Sequence, residues 1–92
     1  MEATDKIKIQ DFITNNNIDL SGEGSDLNGN CVILCGYLLH IGVDIEEFLA
    51  EDGFDGFDGD VDHELRRVYE FANDNNYGDW WTTKDAKLTY KF

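Results

Sequence analysis

The sequence predicts one α+β domain over residues 1–92: three helices, one of them a buried central helix, and a small antiparallel sheet from a C-terminal hairpin, to which an N-terminal strand is a candidate addition. Three observations predict it. The 92 residues are 41% hydrophobic and include six Phe, four Tyr and two Trp, which suits one packed core and leaves little room for a separate substrate domain. An uncharged run, Leu27 to Ile41, has the length of a helix and apolar side chains on nearly every face. Near the end of the chain Leu88, Tyr90 and Phe92 alternate with Lys87, Thr89 and Lys91, the period of a strand.

Met1 to Gln10 contains Lys6-Ile7-Lys8-Ile9, an alternation that reads as a short half-buried strand, although Ile9, Phe12 and Ile13 also keep helical spacing. Asn15 to Gly24 is rich in Asn, Ser and Gly and reads as loop, ending at Ser25 or Asp26, either of which suits a helix N-cap. Val32 and Ile33 of the run that follows also fit a buried strand, but its length favours helix. Gly36 marks a close approach by another element and Gly42 a C-cap. Asp44 then caps a short amphipathic helix, Ile45 to Ala50, with Phe48 and Leu49 inward and Glu46, Glu47 and Glu51 outward. Asp52 to Gly59 repeats a Gly-Phe-Asp unit and reads as loop. Asp60 caps the clearest helix, in which Val61, Leu65, Val68 and Ala72 form one stripe flanked by Tyr69, and Asn73 to Gly78 ends it. Asp79 to Phe92 reads as two strands around Lys84-Asp85.

The formal charge of −13 is regional. No Lys or Arg occurs from Ile9 to Leu65, against fourteen Asp or Glu, and Asp44 to Glu64 holds ten acids in twenty-one residues. From Arg66 to Phe92 five basic residues face four acidic ones. A field of this kind steers association with positively charged surfaces and repels nucleic acid and anionic membranes, so neither is expected as a direct partner. No charged and apolar leader opens the chain, and Cys31 to Ile41 is shorter than the roughly 20 residues that span a bilayer. Cys31 and Cys35 make no disulfide framework, so the expected compartment is the cytoplasm.

Few residues suggest chemistry. Asn30-Cys31 falls near a helix N-terminus, where amide dipoles lower a thiol pKa, and loop-Gly-Asn-Cys-helix resembles the start of the catalytic-cysteine helix in papain-like and ovarian-tumour-type peptidases. A partner base is missing: on a helix His40 lies about 13 Å along the axis from Cys31 and on the opposite face. The other histidine, His63, sits in an acidic segment. A buried apolar cysteine is the competing reading. The acidic loop and helix start, Asp52, Asp55, Asp58, Asp60, Asp62 and Glu64, suit a hard cation such as Ca²⁺ in ligand type. In the EF-hand register beginning at Asp58, however, His63 stands where Gly is needed and Tyr69 where Glu belongs. With His40 expected as a neutral core residue and His63 at an acid-flanked surface, a zinc site would also need Cys31 or Cys35 from a buried face. Trp80-Trp81 offers a binding platform or, with alternate residues on opposite strand faces, one core and one half-exposed ring. No catalytic residue, metal or cofactor is assigned, and the domain is expected not to be an enzyme.

The acids are therefore the expected site. Carboxylates at i, i+3 and i+4 on a helix stand about 5–6 Å apart, comparable to phosphates along a DNA strand. Asp44, Glu46, Glu47, Glu51, Asp52, Asp55, Asp58, Asp60, Asp62 and Glu64 are expected to line one face, with Phe54 and Phe57 as apolar anchors. Solubility is the competing explanation, and Arg66 and Arg67 are candidates to pair with Asp62, Glu64 and Glu70 on their own helix.

In length, charge and cysteine content the chain resembles the small acidic proteins by which bacteriophages block host defence, anti-restriction and anti-CRISPR inhibitors among them. Phe48 to Asn73 is similar to a segment of the ArdA antirestriction family, whose tandem domains exceed this chain. The resemblance implies a DNA mimic that occludes the basic surface of a nuclease or other nucleic-acid-binding protein in the host cytoplasm, with a homodimer as a means of lengthening the mimicked duplex. The alternatives are a shape-specific inhibitor of one basic enzyme, of the immunity-protein or antitoxin type, and a Ca²⁺-binding acidic module.

Overall fold

The structure is a computed structural model that describes residues 1–21, 24–51 and 59–74. Its elements are α1 (Ala3–Asn15), α2 (Gly24–Ile41), α3 (Ile45–Ala50) and α4 (Gly59–Asp74). The expected α+β class with a small antiparallel sheet is thereby corrected: the described residues form four helices, with no strand among them, and the segment read as an N-terminal strand is α1. The C-terminal hairpin expected over 79–92 lies outside the described residues, as do Trp80 and Trp81.

The reason lies in α1. Lys6-Ile7-Lys8-Ile9 fits either period, but a strand would put Ile7 and Ile9 on one face. The helix separates them: Ile9 is fully buried and Ile7 is 57% exposed. Helical spacing then turns Ile9 and Phe12 inward with Ile13 beside them, and the Phe12 ring stacks on Tyr37 of α2 with centroids 4.1 Å apart. A helix also satisfies its own backbone, which a strand cannot do alone.

The central helix is as expected. Cys31, Ile33, Leu34, Cys35 and Leu38 of α2 are buried, as is Gly36, and the α4 stripe Val61, Leu65, Val68 and Ala72 packs against them. The Cys35 thiol donates to the Leu65 carbonyl at 3.5 Å, which places the two helices in direct contact. Caps differ slightly from expectation. Helix α2 begins at Gly24, ahead of Ser25 and Asp26, and α4 begins at Gly59, so Asp60 lies in its first turn instead of capping it.

Helix C-termini set the direction of the following chain. At the end of α2, Gly42 adopts φ +77°, the Gly42 N–H donates to Leu39 at 3.2 Å and the Val43 N–H to Leu38 at 2.9 Å. This is a Schellman motif, and the expected glycine fills the left-handed position. Asn17 takes the same role after α1, with φ 53° and N–H bonds from Asn17 to Thr14 and Ile18 to Ile13. The α2 turn delivers Asp44, whose carboxylate accepts the Glu46 N–H at 3.0 Å and caps α3 as expected. Six residues make no stable helix alone. Burial of Ile45 and Phe48 holds α3 in place, and the Tyr69 hydroxyl donates to the Val43 carbonyl at 3.0 Å beside it.

Candidate acidic interface

Acidic residues occupy the first turns of three helices: Asp5 in α1, Glu46 and Glu47 in α3, and Asp60 and Asp62 in α4. Each helix N-terminus carries partial positive charge, which stabilises a nearby carboxylate by roughly 0.3–1 kcal/mol. Part of the acid clustering thus follows from where helices begin.

Tertiary structure then divides the expected face. Glu46 and Asp62 both pair with Arg66, its Nε lying 2.6 Å from Asp62 Oδ1 and its Nη1 contacting Glu46 Oε1. Glu64 accepts from both Arg67, whose Nε is 3.3 Å from Oε2, and the Asn28 amide of α2 at 2.7 Å. The hydrogen bond from Arg67, with that from Asn28, holds the Glu64 carboxyl below its usual range against the opposing effect of desolvation. Glu51 lies 3.6 Å from Lys6 Nζ and 3.7 Å from the Met1 amino group. Asp44, Glu47 and Asp60 are exposed. Asp52, Asp55, Asp58, Phe54 and Phe57 lie outside the described residues. The seven described carboxylates of the expected face and the four cations paired among them sum to about three net negative charges.

Two acids that sequence reasoning missed adjoin this face. Glu2 and Asp5, at the start of α1, border an open groove of about 540 Å³ whose other walls are Met1, Gly42, Val43 and Glu47. Reading 1–10 as a strand hid them; the helical spacing of Ile9, Phe12 and Ile13 was the signal that would have placed an acidic helix start here.

The chemical candidates separate clearly. Cys31 is fully buried, and burial followed by the Glu64 charge pushes its thiol up to about 12, opposite to what a nucleophile requires. Burial, then the neighbouring Cys31 and Glu64, likewise raises the Cys35 thiol, and both cysteines are free. His40, expected in the core, is instead exposed near the end of α2 because the inward face there belongs to Leu38, and His63 is exposed on α4. No group of three or more His, Cys, Asp or Glu is arranged to hold a metal ion among the described residues, and no described helix is long and apolar enough to cross a membrane. Comparison with protein-family models, curated proteins and solved structures found no match to this chain.

Proposed function

We propose that the domain is a non-catalytic acidic inhibitor that acts in the cytoplasm by occupying the positively charged nucleic-acid-binding surface of a protein partner, as DNA mimics of the phage type do. The observation that carries this reading is the juxtaposition of two acid-rich elements: carboxylates of α3 and α4 approach closely enough to share one guanidinium, and Glu2, Asp5 and Glu47 extend the acidity around the groove. A net charge of −13 on 92 residues costs stability through self-repulsion, which favours a use for the charge beyond solubility.

A second reading, a shape-specific inhibitor of one basic enzyme, is favoured by the internal ion pairs, since they break the uniformity that phosphate mimicry asks for. One experiment separates the two. Wild type and a triple variant, Asp44→Asn, Glu47→Gln and Asp60→Asn, are immobilised and exposed to bacterial lysate at low salt, with and without excess duplex DNA. Asn caps α3 as well as Asp does, so the fold is retained. Mimicry predicts nucleic-acid-binding proteins that DNA displaces, moderate salt releases and the variant fails to hold. One protein that survives both DNA and salt would establish the second reading, and no specific retention would reduce the acidity to a solubility device.

A further inference from the structure

We propose that Cys31 and Cys35 form a redox latch on the fold: helix α2 holds them as a dithiol, and a disulfide between them and an intact α2 exclude one another. The device is independent of what the acidic face binds. The two cysteines are the eighth and twelfth of the eighteen residues of α2, one turn apart and on the same face. Side chains so spaced are neighbours, with Cβ atoms about 5–6 Å apart. A disulfide asks for about 3.5–4.5 Å, so the bridge closes only if the backbone between residues 31 and 35 leaves helical geometry.

The surroundings cannot absorb that shift. Both cysteines are fully buried beside the equally buried Leu34 and Leu38, and the Cys35 thiol donates to the Leu65 carbonyl of α4. A close-packed interior passes such a displacement on to its neighbours. Burial also raises both thiols, so the folded chain withholds the thiolate that exchange requires. Oxidation therefore acts on the opened chain. With glutathione disulfide as oxidant, one cysteine thiolate attacks a glutathione sulfur, forming a mixed disulfide and releasing one glutathione thiolate. The second cysteine thiolate attacks the protein sulfur of that mixed disulfide, the Cys31–Cys35 bond forms and the second glutathione thiolate leaves. The two cysteines lose two electrons and two protons, and the glutathione disulfide takes up both to become two thiols. Because α4 packs on α2 and the turn at the end of α2 delivers Asp44 to α3, a chain locked out of α2 also loses the arrangement of its acids.

The test equilibrates the whole wild-type chain with a glutathione redox buffer, once without urea and once above its unfolding midpoint, starting from both the reduced and the oxidised chain. Free thiols are trapped by alkylation and the monomeric dithiol and disulfide are counted by mass spectrometry. The equilibrium constant for bridging is expected to be at least about tenfold lower without urea, because a bridge forced into a helix is strained and more easily reduced. Oxidised monomer returned from urea should fail to regain the far-UV circular dichroism of the native helices and should regain it on adding a dithiol reductant. Reduced chain carried through the same urea cycle is the control and needs no substitution. Equal constants within about twofold, an oxidised chain that recovers the native helical signal and melting temperature, or no bridge formed even in urea would each overturn the latch.

Discussion

Replacing Phe48 with alanine tests whether α3, and with it Glu46 and Glu47 of the described acidic face, is held chiefly by one buried ring. Phe48 is fully buried, and its helix has only six residues, too few to persist in water without tertiary support. Truncating a buried Phe to Ala costs about 3–5 kcal/mol through lost transfer energy and the cavity left behind. A domain of this size has a total stability of roughly 5–14 kcal/mol, so the loss is a large share of the whole. The melting temperature should fall by at least about 10 °C, given 4–8 °C per kcal/mol for small domains. Urea unfolding followed by far-UV circular dichroism gives the free energy, and amide hydrogen exchange across Ile45 to Glu51 shows whether α3 in particular is released. Release should expose the Glu46 and Phe48 amides while the Leu65 amide, in the α2–α4 contact, keeps its protection. A loss below about 1.5 kcal/mol, or unchanged exchange across α3, would refute the reasoning, because ion pairs with Arg66 and Lys6 would then be holding the helix.

Three further outcomes are expected. Ile7→Lys should leave stability within about 0.5 kcal/mol of wild type, whereas Ile9→Lys should unfold the domain; equal damage from the two would restore the strand, and thermal melts decide it. Cys31 should react with an alkylating reagent at pH 8 only after denaturation, and modification of the native protein at the rate of a free thiol would contradict its burial. Glu64 should contribute about 1 kcal/mol of stability through its hydrogen bonds from Arg67 and Asn28, read as the difference in urea unfolding between wild type and Glu64→Gln. Its folded pKa is lowered from 4.5, so this contribution is fully present above the ordinary carboxylate range and is lost as pH falls through the folded pKa; a difference that instead grew on acidification would reverse the assignment.

Local patterns were legible in the sequence. The α4 stripe of Val61, Leu65, Val68 and Ala72, the capping by Asp44, the uncharged span of α2 and the left-handed turn at Gly42 are each set by residues within a few positions of one another, so periodicity and cap chemistry suffice to find them. The regional acidity was legible for the same reason, being a property of composition along the chain. Only the tertiary structure decided α1: four residues of alternation satisfy two periods, and the choice falls to whichever buries Ile9 and Phe12 against α2. It also decided which carboxylates face a partner. Arg66 meets Glu46 across twenty residues, Asn28 meets Glu64 across thirty-six, and Lys6 reaches Glu51 from another helix. Pairings at such separations depend on how the helices pack, and single-residue pattern carries no record of that, so the charge and the pairs within α4, Asp62 with Arg66 and Glu64 with Arg67, were readable from the sequence while the pairs between elements were not.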